Sequence, residues 1–255
     1  MVLGDVFFAI FVAVMLEKTR GIVLHTLRYG ESSLIVDIFT EQRGTVSFLV
    51  RMPRSRKSPV RTVLLRPLTI LEIDFDFRPS KSLQHIKDMR VCVPYTSIPY
   101  VPIKETIALF LSEFLYYVLR HESANPSLFD YLATALEWFD QVEDGYANFH
   151  LALLIHISRF LGFWPYSEDW YPGALFDLVE GHYVSTPPVH GAYLPAEESR
   201  MLGKYLRMDY TNMRRFHLNR ALRRYVLDVL TRFYRLHVAE FPEVKSLAVL
   251  REMFD

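Results

Sequence analysis

Short apolar runs divided by turn residues fill the chain between residues 19 and 93. They are rich in β-branched and aromatic residues, and alternation predicts that Leu34, Val36 and Ile38 share one buried face. This pattern is typical of β-strands. The predicted strands are GIVLHTLRY (21–29), SLIVDIFT (33–40), TVSFLVR (45–51), PLTILEIDFDF (67–77) and HIKDMRVCV (85–93). Five short strands within about eighty residues predict a small closed barrel, and the OB-fold is the commonest five-stranded barrel.

Beyond Pro94 the spacing of apolar residues changes to a helical period, which predicts an all-helical carboxyl half. The segment VPYTSIPYVP (93–102) holds three prolines and predicts an extended linker at a domain boundary. The segment 104–121 is apolar on almost every side, which indicates a buried central helix rather than a membrane span. Other predicted elements are helices from an Asn125 cap to Gln141, over 147–162 and over 213–237, and an irregular insertion over 163–188 with a hairpin turn at Glu180 and Gly181.

Residues 1–14, MVLGDVFFAIFVAV, form an apolar segment that lacks the parts of an export signal. No Lys or Arg precedes it, Asp5 interrupts it, and no small-residue cleavage site follows it. Its roughly ten apolar residues are too few to span a bilayer, which needs about twenty. We therefore expect a gene-start artefact or a disordered extension, with translation starting at Met15, rather than a targeting segment. The predicted domains are then a barrel over 15–93 and a helical domain over 94–255.

The composition is that of a globular protein with no net charge. Hydrophobic residues make up 51% of the 255 positions, and 29 basic residues balance 29 acidic ones. Cys92 is the single cysteine, which excludes an intrachain disulfide and a cysteine zinc site and fits the reducing cytoplasm. Acidic and histidine side chains of the insertion lack the tight spacing of a zinc motif, so we predict no metal and no cofactor. These side chains are Glu168, Asp169, Asp177, His182 and His190.

Positive charge is concentrated in the segment RMPRSRKSPVR (51–61), which holds five basic residues and no acidic one. It connects two predicted strands of a barrel of the type that binds single strands along a basic groove, which makes it a candidate DNA-binding loop. A solvated surface loop is the alternative, and net charge cannot separate the two. The candidate phosphate ligands are Arg51, Arg54, Arg56, Lys57 and Arg61.

A second basic region lies in residues 200–235, which contain ten Lys or Arg and two acidic residues. A helical wheel of the last long helix predicts an apolar stripe that faces the core. The stripe is Leu218, Leu222, Tyr225, Val226, Val229, Phe233 and Leu236. The opposite face gathers Arg220, Arg223 and Arg224 beside Leu227 and Tyr234. Such a face suits an acidic peptide with a hydrophobic end, and DNA contact or simple solvation are the alternatives.

Four segments that cover nearly everything after Met15 carry a resemblance to a known family. They are GIVLHTLRYGESSLIVDIFTEQRGTVSFLVR, RPLTILEIDF, ISRFLGFWP and FYRLHVAEFPEVKSLAVLREMF. Together they resemble the bacterial DNA repair protein RecO family. The resemblance implies an amino-terminal OB-fold, a helical carboxyl domain and no catalysis of covalent chemistry. It also implies binding of single- and double-stranded DNA, annealing of complementary strands, and work with RecR and the single-strand-binding protein SSB to let the recombinase load.

The insertion departs from that family. Many relatives carry a four-cysteine zinc site there, and all four cysteines are missing from LGFWPYSEDWYPGALFDLVEGHYVS. We expect this degenerate zinc-loop region, 163–195, to be held by aromatic packing instead of by a metal. The side chains expected to pack are Trp164, Trp170, Phe176 and Tyr183.

The sequence thus predicts a non-enzymatic DNA repair and recombination mediator, cytoplasmic and nucleoid-associated, without membrane contact. The basic loop would hold strand backbones and leave bases free to pair, and the arginine face would take the acidic carboxyl tail of SSB. No phosphate-binding glycine loop, GxSxG, HExxH or recognisable carboxylate pair favours an enzyme. The alternative is an OB-fold protein-interaction scaffold that does not bind DNA directly.

Overall fold

A computed structural model describes residues 15–51 and 64–253 of the chain. The amino-terminal part is a closed barrel of five strands in the order β1-β2-β3-β5-β4. The strands are β1 (Met15–Tyr29), β2 (Ser33–Thr40), β3 (Gly44–Arg51), β4 (Ile70–Phe77) and β5 (Leu83–Val91). Neighbours are antiparallel except for β3 and β5, which run parallel and pair at Ser47 with Leu83 and at Phe48 with Gln84. The predicted fold class, a five-stranded OB-type barrel followed by helices, is confirmed.

Alternating apolar side chains fill the barrel as the sequence predicts. Leu34, Val36 and Ile38 of β2 are buried inside it. The rings of Phe48 and Phe75 meet edge to face across the interior, with their centroids 5.1 Å apart. The outer face of the barrel packs against the helices in one part and is open to solvent in the rest.

The first strand is longer than predicted, because it begins at Met15 rather than at residue 21. Residues 15–22 pair with β4 and residues 21–29 pair with β2, so one strand closes the barrel on both sides. Gly21 lies where the two pairings meet, and a Cβ atom there would lie 2.5 Å from Cγ2 of Ile38. The extension escaped prediction because the segment MLEKTR is mostly polar and carries no alternating apolar signal.

Six α-helices are described in the carboxyl part: α1 (Pro102–Leu119), α2 (Pro126–Gln141), α3 (Phe149–Phe160), α4 (Ala196–Tyr205), α5 (Arg220–His237) and α6 (Ser246–Met253). The central position predicted for α1 is confirmed, since most of its side chains are buried. Asn125 caps α2 as predicted, and its side-chain oxygen accepts the backbone N–H of Leu128 at 3.1 Å. Among the residues that the structure describes, no helix is long and apolar enough to cross a membrane.

The barrel packs directly against α1. Ile22, Leu24 and Phe39 of the barrel belong to the same buried cluster as the helices. At the start of β3, the Thr45 hydroxyl donates to the carbonyl oxygen of Leu119 at 2.6 Å. The outer barrel surface on this side is therefore covered, and only the remaining faces are open to a ligand.

The segment between the barrel and α1 is anchored, although three prolines predict an extended linker. Asp140 of α2 accepts the backbone N–H groups of Thr96, Ser97 and Ile98 at 2.7, 2.8 and 2.8 Å. Burial raises the pKa of Asp140, but these hydrogen bonds outweigh it and hold the pKa below its ordinary value. The buried Lys104 ammonium donates to the carbonyl oxygen of Asp140 at 3.0 Å. One carboxylate thus fixes the junction between the two parts of the chain.

The insertion forms a small sheet of three strands, β6 (Leu175–Asp177), β7 (His182–Val184) and β8 (Tyr193–Leu194), in the order β7-β6-β8. The predicted hairpin turn is confirmed, and Gly181 adopts a positive φ of 69° within it. Phe176 and Tyr183 are buried in edge-to-face contact, as expected. Trp164 is half-buried under the guanidinium of Arg159, 4.0 Å from its ring centroid. The expectation was wrong for Trp170, which is 39% exposed.

A carboxylate and an imidazole also stabilise the insertion. Asp177 accepts the backbone N–H groups of Val179 and Glu180 at 2.8 and 3.1 Å, and its other oxygen lies 3.1 Å from Nε2 of His190. Nδ1 of His190 accepts the backbone N–H of Ala192 at 3.1 Å. The pair joins the end of β6 to the segment that precedes β8. Within 15–51 and 64–253, no three His, Cys, Asp or Glu side chains are grouped to hold a metal ion.

The last long helix differs from the prediction in its start and in its buried face. It begins at Arg220 instead of residue 213, because Asn219 caps it and accepts the backbone N–H of Leu222 at 2.9 Å. Leu227 and Tyr234, predicted on the exposed face, are 3% and 0% exposed, whereas Leu236 is 43% exposed. The wheel assumed a single apolar partner, but α5 packs on the helical core along one side and on the insertion along another.

Candidate nucleic-acid interface

The predicted DNA-binding loop leaves the barrel at the end of β3. Arg51 is exposed at this end, and register brings it beside Ser33 of β2 and, across β2, Tyr29 of β1. Arg54, Arg56, Lys57 and Arg61 lie outside the described residues. Arg51 is therefore the one candidate phosphate ligand of this segment whose position the structure describes.

A cleft of about 330 Å³ opens beside Arg51, between the end of β3 and residues 85–89 of β5. It forms there because β3 and β5 pair only next to Phe48 and then diverge. His85 and Lys87 of β5 are exposed along its wall. The Lys87 ammonium lies 2.6 Å from Oδ1 of Asp76, so this cation is already partly neutralised. The cleft thus carries its strongest unpaired positive charge at the Arg51 end.

The solvent side of the three strands next to the cleft is partly apolar. Leu27 and Tyr29 of β1 are 53% and 56% exposed. In register, Leu27 lies beside Ile35 of β2, which lies beside Leu49 of β3. Tyr29 lies two strands, or about 10 Å, from Arg51, and an exposed aromatic ring within reach of a cation is the combination that binds a base and a phosphate of a single strand. Sequence reasoning missed Tyr29, although its position just before a glycine turn marked it as a surface aromatic.

Most other cations of the barrel are neutralised by neighbouring carboxylates. Arg20 pairs with Glu41 and Asp130, Arg43 pairs with Glu17, and Arg90 and Lys18 both pair with Glu72. The guanidinium of Arg90 holds the pKa of Glu72 below its ordinary value. By contrast, Arg51 has no ion pair with any residue that the structure describes. Four other cations of the barrel likewise form no ion pair with a described residue, namely Arg28, Arg66, Arg78 and Lys81. Arg51 differs from them because four further cations follow it within residues 51–61.

The second basic region divides into two clusters. The first surrounds a shallow pocket between α5 and α6, where three predicted arginines and Leu227 meet residues of α6 and α3. Its lining is Arg220, Arg223, Arg224, Leu227, Leu250, Arg251 and His150. Tyr234 takes no part, since its buried hydroxyl donates to the carbonyl oxygen of Leu154 at 2.7 Å.

The arginines of this pocket differ in how they are held. Nε of Arg223 donates to Oδ1 of Asn148 at 3.0 Å, and Nη2 donates to the carbonyl oxygen of Leu218 at 3.0 Å. Burial lowers the pKa of Arg223 below its ordinary value. Arg220 and Arg224 are exposed. Arg223 thus fixes the start of α5 against the helical core, while the other two face solvent at the pocket rim.

The second cluster lies on a separate groove of about 560 Å³ beside α4. Arg200, Lys204, Arg207 and Arg215 line it. Sequence reasoning included these residues in the basic count but did not single them out. The spacing of Arg200, Lys204 and Arg207, four and three residues apart, was the available signal that they share one helical face.

Both halves of the chain match models of one protein family. Residues 15–95 match the model described as "Recombination protein O N terminal", and residues 102–248 match the model described as "Recombination protein O C terminal". The first matched segment contains the barrel, and the second contains α1 to α5 together with the insertion.

Curated proteins named "DNA repair protein RecO" are similar to the chain over nearly its whole length. The protein of Phocaeicola vulgatus is 46% identical over 240 residues, which are 94% of this chain and 100% of that protein. The protein of Bacteroides fragilis is 45% identical over 242 residues, with the same shares covered. The protein of Flavobacterium johnsoniae is 38% identical over 240 residues, which are 93% of this chain and 98% of that protein.

Proposed function

The chain belongs to the recombination protein O (RecO) family of DNA repair proteins, and from this premise we propose that it is a recombination mediator that works without enzymatic chemistry. It binds single- and double-stranded DNA in the cytoplasm and anneals complementary strands. The observation that carries the proposal is the exposed Arg51, which begins a segment of five cations at the edge of the barrel cleft.

DNA binding by this segment depends on phosphate contacts. Arg51, Arg54, Arg56, Lys57 and Arg61 bind the strand backbone, and Tyr29, which lies across β2 from Arg51, accepts a base that turns toward the barrel. If about four phosphates are neutralised, the logarithm of affinity falls with the logarithm of salt concentration at a slope near −3 to −4. Base sequence has little effect, because phosphate contacts carry no sequence information.

Annealing follows from backbone binding. Strands held by their phosphates keep their pairing edges free, and a protein with separate basic regions screens the charge of both strands at once. The barrel segment provides one of these surfaces, and one of the two cation clusters of the second basic region provides the other. Complementary bases then pair without nucleotide hydrolysis.

The pocket between α5 and α6 is the proposed site for the acidic carboxyl tail of SSB. Its floor is Leu227 with Leu250, and Arg220 and Arg224 stand at its rim. This arrangement supports an acidic peptide that ends in an apolar residue, because guanidinium groups bind carboxylates while the apolar end covers the leucines. SSB and RecR are the proposed partners with which the protein helps the recombinase to load.

A tail-peptide titration tests this site. The Arg220→Glu and Arg224→Glu double variant should weaken binding of the tail peptide at least about tenfold, since two attractive charges become repulsive. Arg223 is left unchanged because its hydrogen bonds stabilise α5. The control is the Arg235→Glu and Lys245→Glu pair, which makes the same charge change on exposed positions outside the pocket lining. Equal weakening by both pairs would contradict the assignment.

Strand annealing tests the proposed function as a whole. Complementary oligonucleotides coated with the cognate SSB are mixed with the protein in the absence of nucleotide. We expect annealing by the unaltered chain and strong loss of it in the Arg56→Glu and Lys57→Glu variant. A correctly folded protein that anneals no strands and binds no DNA would contradict the proposal.

The alternative function is a scaffold that binds only proteins through its barrel. The apolar row of the exposed Leu27 and the half-buried Ile35 and Leu49 favours it, because apolar surface of this kind marks contact surfaces. DNA binding that weakens steeply with salt separates the two functions, since a scaffold shows none.

A further inference from the structure

The α4 groove is the open channel of about 560 Å³ between the exposed side of α4, the segment 167–170 and the 3₁₀ turn Met213–Arg215. It lies in the helical half of the chain, apart from the barrel cleft and from the pocket between α5 and α6. The DNA-binding loop and the SSB-tail pocket leave its cations unused.

Charge is the first property that points to a ligand. Four cations line the groove, Arg200, Lys204, Arg207 and Arg215, and Glu168 is the one acidic residue among the described lining residues. The formal charge of the lining is four minus one, or +3, on a chain whose net charge is zero. None of the four cations forms an ion pair with a residue that the structure describes. An unneutralised concentration of this size favours a polyanion.

The spacing of the cations suits a polymer with a regular charge repeat. Arg200 and Lys204 are four residues apart on α4, which gives a rise of about 6 Å along the helix axis. Arg207 follows three residues later, just past the helix end, and its backbone N–H donates to the carbonyl oxygen of Lys204 at 3.3 Å. The three residues therefore form a row on one side of α4, with successive backbone positions about 4.5 to 6 Å apart along the axis, along which the phosphates of an extended strand can lie.

The walls of the groove are fixed before any ligand binds. The hydroxyl of Tyr183 donates to the carbonyl oxygen of Ser199 at 3.2 Å and ties α4 to the hairpin of the insertion. The side-chain amide of Asn212 donates to the carbonyl oxygen of Arg207 at 2.9 Å. Asp209 accepts the backbone N–H of Asn212 at 2.9 Å. These contacts fix the position of the 3₁₀ turn relative to the row of cations, which lowers the entropy cost of binding.

Aromatic side chains decide between nucleic acid and acidic peptide. Trp170 is 39% exposed at the groove, and Phe216 lies half-buried in its wall. Flat aromatic faces beside cations are the surfaces on which bases stack. Among the described lining residues there is no Leu, Ile, Val or Met side chain, so the groove offers no aliphatic floor for an apolar peptide end. The leucine-floored pocket between α5 and α6 differs in this respect.

We propose that the α4 groove binds a single-stranded nucleic acid segment of about two or three nucleotides, with phosphates on Arg200, Lys204 and Arg207 and a base stacked on Trp170. The inference rests on the proposed DNA-binding function and assigns a site for the second strand during annealing. It also gives a role to the exposed Trp170, which does not pack as the sequence predicts.

The test measures binding of a fluorescent oligothymidine to the full chain together with its effect on tryptophan fluorescence. Of the three tryptophans, Trp138 and Trp164 are half-buried, so quenching by the strand reports mainly on Trp170. We expect the Trp170→Phe variant to lose most of the quenching. The Arg200→Glu and Lys204→Glu pair should bind at least about tenfold more weakly, while the Arg235→Glu and Lys245→Glu control pair should bind nearly normally.

A charge-neutral variant tests the groove itself. Gly203 lies in the groove wall, and a Cβ atom there would make ordinary contacts of 3.8 to 4.0 Å with Ser167. Gly203→Ala should therefore fold and bind normally. Gly203→Leu should fill the groove and weaken oligothymidine binding and quenching without any change of charge. Far-ultraviolet circular dichroism and the thermal midpoint verify that each variant is folded.

The outcomes separate this inference from the proposed function. Salt-sensitive binding by the unaltered chain, with normal affinity and quenching in the folded α4 variants, would overturn the α4 site and leave the proposed function intact. Absence of any DNA binding by the unaltered chain would overturn both. Quenching of Trp170 by an acidic peptide ending in an apolar residue, and not by oligothymidine, would assign the groove to a protein partner and overturn the inference.

Discussion

The Asp140→Asn variant tests whether one carboxylate holds the junction between the barrel and the helices. In the native chain, Oδ1 of Asp140 accepts the N–H groups of Ser97 and Ile98, and Oδ2 accepts the N–H and the hydroxyl of Thr96. Asparagine keeps one oxygen acceptor and replaces the other with an amide nitrogen that cannot accept a hydrogen bond. At least one partly buried N–H group, that of Thr96 where the nitrogen takes the Oδ2 position, therefore loses its partner, and Lys104 loses its neighbouring negative charge.

The expected loss of unfolding free energy is about 3 kcal/mol. A hydrogen bond to a charged group contributes about 1.5 to 3 kcal/mol, and an unpaired buried donor costs about 1 to 3 kcal/mol. Urea unfolding at neutral pH, followed by tryptophan fluorescence, measures the loss as a lower midpoint. The control is Asp144→Asn, whose side chain is 82% exposed and whose substitution should change stability by less than about 0.5 kcal/mol.

The pH dependence of Asp140→Asn supplies a second, independent readout. The pKa of Asp140 is lower in the folded chain than its ordinary value, so its stabilising effect is complete at neutral pH and is lost as pH falls through the folded pKa. The difference between the native chain and the variant should therefore shrink below about pH 4. A neutral-pH loss below about 1 kcal/mol, or a difference that does not change with pH, would refute the role given to this carboxylate.

Three further predictions concern the barrel turn and the insertion. Gly44→Ala should lower the free energy of unfolding by at least about 2 kcal/mol, because its Cβ would lie 2.1 Å from the carbonyl oxygen of Glu122. The control, Gly30→Ala, is also at positive φ but has no atom within 4 Å of the added Cβ, so it should lower the free energy of unfolding by about 1 kcal/mol or less. Equal urea midpoints would contradict this. Asp177→Asn should speed proteolysis of the insertion at neutral pH and less so in acid, because hydrogen bonds outweigh burial and hold the pKa of Asp177 below its ordinary value. Treatment with a chelator should leave the thermal midpoint unchanged, and a fall of several degrees would contradict a metal-free insertion.

The sequence was sufficient to predict strands whose apolar and polar residues alternate and helices that begin at a capping residue. The inward face of β2 and the Asn125 cap could be predicted because each depends on near neighbours in the chain. The extension of β1 to Met15 could not, since its residues are held by pairing with β4, more than fifty residues away. The anchoring of the linker by Asp140 is likewise a contact between distant segments, which no local pattern reveals.

The candidate sites also divide into those formed by residues near in sequence and those formed by distant segments. Arg220, Arg224 and Leu227 meet at one pocket because they share a helix, and a wheel suffices to group them. The wheel wrongly placed Tyr234 on the exposed face. The helix α5 is covered by both the helical core and the insertion, and a wheel does not show which of its faces these partners bury. The α4 groove brings together Arg200 and Arg215 from different elements, so only the folded chain reveals it.

The salt dependence of DNA binding tests the central claim most directly. Oligonucleotide affinity is measured between low and physiological salt for the unaltered chain, the Arg56→Glu and Lys57→Glu variant, and the Arg235→Glu and Lys245→Glu control. Each phosphate contact contributes about 1 kcal/mol at 0.15 M salt, so losing two should weaken binding about 30-fold and reduce the slope by about two. We expect a slope near −3 to −4 for the unaltered chain and the control. A slope near zero, or equal affinity of the loop variant and the control, would contradict the account.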